Sequence, residues 1–263
     1  MGIGFPEFRQ EQLESLEPML GAARAYLQIG QKMMKVPVLE KFPDLAKQIN
    51  QTVANSMESV LLLVSNACGV DALRLARTMF EAAVVLHYLD SHPRLVEDFI
   101  DYQCVIRKKH NDYRLTLPLD KAPSLAPEKI AEMESNYQRV KHRFINKNGR
   151  VRNSWCKANL REMAKEVNAE SIYGGLYPFG SSMTHTDILS IVAGAGDSGD
   201  VEPMPSRLNV TLALQKAIMS FSMTLMAFDK IANLGRGDDL EAAFTEFENS
   251  TPSVASPTGK SAV

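Results

Sequence analysis

The sequence predicts an all-α bundle, and three observations carry that prediction. Apolar residues recur at helical spacing along nearly the whole chain, and strand-like alternation bounded by turn residues is nearly absent. Residues 208–228 hold one charge, Lys216, but also Asn209, Thr211, Gln215, Ser220, Ser222 and Thr224. That mixture suits a helix buried in a bundle better than one in lipid. Hydrophobic residues make up 45% and charged residues 23% of the 263, enough for a folded core without disulfide or metal staples. The expected architecture is one domain over residues 1–248, a multi-helix bundle of about eight to ten helices. Its apolar central helix lies near the C-terminus, and residues 249–263 form a disordered tail rich in Ser, Thr and Pro.

The elements follow in order. A first helix is expected over residues 7–34 and a second over 43–67, with Gly69 as its C-cap. Asp71 opens a third that reaches Leu89. Pro93 suits the first turn of a fourth, which runs to Leu115. Pro118, Pro123 and Pro127 mark a loop. A fifth helix spans 127–145 and is stopped by Asn146-Lys147-Asn148-Gly149. Shorter helices are expected over 158–167, 169–176 and 183–193. Pro178 and Gly180 break the chain between the last two, and one serine of Ser181-Ser182 caps the restart. A Gly- and Pro-rich loop over 194–205 leads into the long helix, 206–233, and an acidic helix, 238–248, closes the bundle.

Several function classes are set aside. A net charge of -2 excludes a generally basic nucleic-acid coat. Cys68, Cys104 and Cys156 form no C-x-x-C pair, and the five histidines show no His-x-x-x-His or Glu-x-x-His repeat. No disulfide framework, metal or cofactor is therefore expected. Phe179-Gly180-Ser181-Ser182-Met183 lacks the second glycine of a hydrolase elbow. Thr258-Gly259-Lys260-Ser261 lacks the first glycine of a phosphate loop, since Val254 stands there. Residues 1–7 carry no basic-then-apolar leader, so a cytoplasmic location without a membrane anchor is expected.

Two charge patterns stand out. Between Ala72 and Leu86 the only charges are Arg74, Arg77 and Glu81, which fall within about 60° of one another on a helix. The i,i+4 spacing lets Arg77 pair with Glu81. This stripe is either a thin wet face with a register-fixing ion pair, or one wall of an anion-binding pocket. Residues 135–161 hold eight cations and no Asp or Glu: Arg139, Lys141, Arg143, Lys147, Arg150, Arg152, Lys157 and Arg161. Tyr137, Phe144 and Trp155 are interleaved among them. The stretch either contacts phosphate groups or is a solvated face balanced by the acidic C-terminal helix.

Arg77 and Glu81, Trp155, Arg161, Tyr173 and Tyr177, and Ser181 and His185 follow one another in that order. Over roughly residues 70–195 the chain thereby resembles the bacterial helical family catalogued as domain of unknown function 5677. That family has an R-x-x-x-E helix, a Trp, an arginine-containing helix, two spaced tyrosines and an S-x-x-x-H pair. The resemblance implies a helical fold and a polar site, and supplies no reaction.

Three functions fit this pattern. One is a metal-independent phosphodiesterase or ribonuclease of toxin or phage-defence type. His185 would be the general base, Arg77, paired with Glu81, would stabilise phosphorane charge, and Tyr177 or Ser181 would orient the substrate. Arg74, Tyr173, Trp155, Arg161, Arg150 and Arg152 would bind RNA. The R-x(4–6)-H signature of HEPN-type helical ribonucleases is absent. The second is a non-catalytic module that binds a nucleotide, another anionic ligand or a partner protein. The third is a purely structural hydrogen-bond network. The apolar helix near the C-terminus could serve a homodimer as well as a core.

Overall fold

The computed structural model describes residues 6–118, 125–184 and 207–251. Nine α-helices stand among them: α1 Pro6–Met33, α2 Lys41–Val64, α3 Gly69–Ser91, α4 Val96–Leu115, α5 Pro127–Val140, α6 Leu160–Glu166, α7 Glu170–Thr184, α8 Arg207–Ala232 and α9 Gly237–Ser250. Short 3-10 turns, Pro93–Leu95 and Lys141–Phe144, precede α4 and follow α5. Among the described residues the only β pairing outside named strands is an antiparallel bridge between Ile145 and Val151. The chain is all-α, with a long apolar helix near its C-terminus. Residues 185–193 of the helix expected over 183–193, the loop over 194–205 and most of the expected tail lie outside the described residues.

Two compact units divide the chain, residues 1–88 with 164–263, and residues 89–163. The borders fall near the end of α3 and inside α6. In the first unit α8 is the central element. Val210, Ala213, Leu214, Ala217, Ile218, Phe221, Leu225 and Phe228 are all fully buried. They recur every three or four residues, the spacing that puts them on one broad face. α2 packs along α8, and α1 and α9 also contact it. By length and composition residues 210–232 could cross a membrane, with a mean hydropathy of 1.3, but 67% of that window is buried inside the protein.

The buried polar residues of α8, Ser220, Ser222 and Thr224, are satisfied internally. Ser220 donates to the Lys216 carbonyl at 2.8 Å and Thr224 to the Phe221 carbonyl at 2.8 Å. The Tyr26 hydroxyl donates to Ser222 Oγ at 2.9 Å. Burial pushes the Tyr26 phenol up to about 12, against the lowering pull of Ser222, so this hydroxyl stays protonated at ordinary pH. Gly30 of α1 sits against Phe221: a Cβ there would lie 2.6 Å from the tip of the ring.

The second unit is built on a small core of Tyr102, Val105, Val140 and Phe144, flanked by Cys104, Tyr137, Val151 and Trp155. α4 and α5 form most of it. Tyr102 and Phe144 meet edge to face with centroids 5.2 Å apart, as do Phe99 and Trp155. Arg143 bridges Asp98, at 2.8 Å, and Asp101 on α4. Arg139 reaches Asp101 at 3.3 Å. Burial works to raise the Asp101 carboxyl, but hydrogen bonds and charge from Arg143 and Arg139 outweigh it and hold it below its ordinary value.

Two local expectations are corrected. Gly69 does not cap α2; it is the first residue of α3. The left-handed position falls on Ala67, at φ 59°, while the Cys68 N–H bonds the Leu63 carbonyl at 2.8 Å. The cap is set by the 6→1 bond geometry, whether or not a glycine is available there. Ala67 is 6% exposed, so its methyl is buried at some conformational cost. Ala67→Gly is expected to raise stability by up to about 1 kcal/mol, read as a higher thermal midpoint.

Nor does the chain break at Pro178. α7 runs unbroken from Glu170 to Thr184, so neither Ser181 nor Ser182 is an N-cap. A proline inside a helix removes one bond, here to the Gly174 carbonyl four residues back, and crowds that carbonyl. Gly174 is exposed and a Cβ there would have nothing within 4 Å, so its carbonyl can tilt outward and take water.

Candidate functional site

The charged stripe of α3 lies on an otherwise buried helix. Ala72, Leu73, Ala76, Met79, Phe80, Ala83, Val84 and Leu86 are all in the core. Arg77 is held at the edge of that core, its side chain 14% exposed. Its Nη2 donates to the Tyr177 hydroxyl at 3.1 Å and pairs with Glu81 Oε1 at 3.1 Å. Its guanidinium carbon also stands 4.4 Å from the Tyr177 ring centroid, a cation–π contact.

Tyr177 is presented by α7. Leu176, 1% exposed, anchors that helix, and the i,i+4 spacing puts Tyr173 beside Tyr177. The two rings stack at 4.7 Å with 14° between their planes. On the other side of α7, Gly175 leaves room for Lys216 of α8, whose Nζ lies 4.0 Å from where a Cβ would be.

The chemistry of this cluster follows from the donor inventory. Arg77 engages Glu81 and Tyr177 through Nη2. Its buried Nε has no hydrogen-bond partner among the described residues. A guanidinium has five N–H donors, and among the described residues only Nη2 of Arg77 is engaged. Tyr177 accepts from Arg77, which leaves its own hydroxyl proton available to a further acceptor.

The other sequence candidates fall as follows. Arg74 pairs with Asp71 on the outer face of α3. Ser181 lies on the last turn of α7, and His185 lies outside the described residues. Trp155, Arg150, Arg152 and Arg161 belong to the second unit. Arg152 is turned inward: its Nη2 donates to the carbonyls of Arg143 at 3.1 Å and Trp155 at 3.4 Å. Arg150 and Arg161 are exposed. Arg143, in sequence one cation of a uniform basic stretch, is clamped by Asp98 and Asp101. Two carboxylates one turn apart at the start of α4 are the sequence signal for this. A cleft of about 280 Å³ in the second unit, lined by Cys104, Arg107, Lys129, Glu132, Met133 and Asn136, has no motif in the sequence. Among the described residues no group of three or more His, Cys, Asp or Glu is placed to hold a metal.

An arginine–carboxylate pair capped by stacked tyrosines, on an all-α scaffold, defines the class: a helical protein with a polar site between two of its helices. The chain belongs to the family of unknown function DUF5677, which matches residues 45–200, more than half its length. That span runs from α2 to beyond α7 and takes in Arg77, Glu81, Tyr173 and Tyr177. No curated protein and no solved structure matches the chain significantly.

Proposed function

We propose that the first unit binds a small anionic ligand carrying an aromatic ring, a nucleotide by chemical class, at Arg77. The observation that carries this is the Arg77 guanidinium, partly exposed at the rim of the core, whose hydrogen bonds and ion pair with described residues are made through Nη2. A phosphate oxygen would take a charge-assisted hydrogen bond from the donors that face the rim. The face of Tyr173 turned away from Tyr177 supplies aromatic surface for a base, and the Tyr177 hydroxyl can donate to a second oxygen. Glu81 neutralises Arg77 while the site is empty and fixes its orientation.

A thermal-shift panel of nucleoside mono-, di- and triphosphates tests the proposal. A ligand at about 100 times its Kd adds about 2.7 kcal/mol of stability, a shift of several degrees. Arg77→Lys keeps the charge but loses the planar fork, and is expected to weaken binding about tenfold or more. Tyr173→Ala is expected to weaken it severalfold. If no nucleotide moves the midpoint, or if Arg77→Lys binds as wild type does, the proposal fails.

A further inference from the structure

The basic charge of the chain is concentrated in the second unit. Residues 89–163 hold 15 Lys and Arg against 10 Asp and Glu, in a chain whose net charge is -2. The structure sorts those cations. Arg143 and Arg139 are paired with α4 carboxylates, Lys108 is paired with Asp112 and Glu134, and Arg152 is folded onto backbone carbonyls. Lys147 and Arg150 are exposed, as are Arg94, Arg107, Lys129 and Lys157 elsewhere in the unit, and neither the Lys147 nor the Arg150 side chain makes an ion pair or hydrogen bond with any described residue.

These two sit on a loop that is firmly pinned. Asn146 Oδ1 accepts from the N–H groups of Asn148 at 2.9 Å and Arg150 at 3.0 Å. The Asn146 N–H bonds the Arg150 carbonyl at 2.8 Å, and Gly149 takes the left-handed turn position at φ 73°. Ile145 and Val151 close the base as a β bridge. The loop is fastened to α4 through its C-terminal arm. Tyr102 Oη donates to the Arg152 carbonyl at 3.0 Å, and Lys109 Nζ donates to Asn153 Oδ1 at 3.0 Å. Tyr102, Lys109 and Tyr113 lie within about 40° of one another on α4. Tyr113, one turn beyond the Lys109 anchor, is 68% exposed.

We infer that this face of the second unit, Lys147 and Arg150 on the pinned loop with Lys109 and Tyr113 on α4, binds a single-stranded nucleic acid. The cations hold successive phosphates, and Tyr113 gives a base a ring to stack on. A pre-formed loop loses little entropy when it binds, so two cations are enough to count. Internal pairing of Arg139, Arg143 and Arg152 takes those three arginines out of competition for phosphate. The inference is independent of the Arg77 site and uses none of its residues.

The test is fluorescence anisotropy of the full chain with a labelled single-stranded RNA of about 20 nucleotides, titrated at several salt concentrations. Wild type is expected to bind with a log–log salt slope. Lys147→Ala with Arg150→Ala should flatten that slope by about 1.4, at about 0.7 for each phosphate no longer neutralised. Tyr113→Ala should weaken binding roughly fivefold or more. All three residues are exposed or peripheral, so the thermal midpoint and tryptophan emission should stay at wild-type values and exclude misfolding. Absence of salt-dependent RNA binding by wild type would overturn the inference, as would equal binding by the double variant. Variant-sensitive binding to vesicles of anionic lipid in place of RNA would overturn it in favour of a membrane surface.

Discussion

Phe221→Ala is expected to destabilise the first unit by about 3–5 kcal/mol, the range for deleting a fully buried phenyl group. Phe221 is 0% exposed, meets the Tyr26 ring edge to face with centroids 5.9 Å apart, and fills the surface that Gly30 leaves open on α1. Removing the ring empties space between two long helices that have little freedom to close on it. Total stability for a domain of this size is typically about 5–15 kcal/mol, so most of the margin would go. Chemical denaturation followed by far-UV circular dichroism would show the midpoint falling with the slope nearly constant. An unchanged midpoint would mean that α1 and α8 do not pack through this ring. Gly30→Ala combined with Phe221→Ala should recover part of the loss, because the new methyl group points into the space the ring vacates.

Phe144→Ala has a comparable expected effect, about 3–5 kcal/mol, confined to the second unit. Among the described residues its buried cluster is Tyr102, Val105, Val140 and Phe144, so one deletion removes a large share of it. The chain's one tryptophan, Trp155, lies in this unit against Phe99. Its emission therefore reports the second unit, while far-UV dichroism reports the whole chain. The variant should lose its tryptophan transition at low denaturant while most of the helical signal persists to higher concentration. Coincident transitions at the wild-type midpoint would contradict the prediction.

Helix positions are largely legible in the sequence because periodicity and proline are local signals. Residues 208–228 can be read as a core helix from their polar residues, and the structure shows where those go: Ser220 and Thr224 to their own helix, Ser222 to Tyr26. One cap was legible but unread. Asn159 and Glu162 form a reciprocal capping box, with Asn159 Oδ1 accepting the Glu162 N–H at 3.0 Å and Glu162 Oε2 the Asn159 N–H at 2.7 Å. Left-handed backbone at Ala67 is not legible, since alanine carries no signal for it. Within the site, the Arg77–Glu81 pair can be read from i,i+4 spacing. The hydrogen bond between Arg77 and Tyr177 cannot, because a separation of 100 residues is settled by tertiary packing alone. The basic stretch shows the same limit. Its composition is visible in sequence, but which of its cations are spent depends on Asp98 and Asp101, some forty residues upstream.

The proline inside α7 gives that helix a hinge. With no N–H at Pro178 to reach back to Gly174, the hydrogen-bond ladder has a missing rung one turn after Tyr173. The half of α7 beyond it can swing outward without unzipping the half that bears Leu176. Tyr177 is the last residue before the gap, so the hydrogen bond from Arg77 fastens the half of α7 that bears Leu176 and leaves the half beyond unfastened by it.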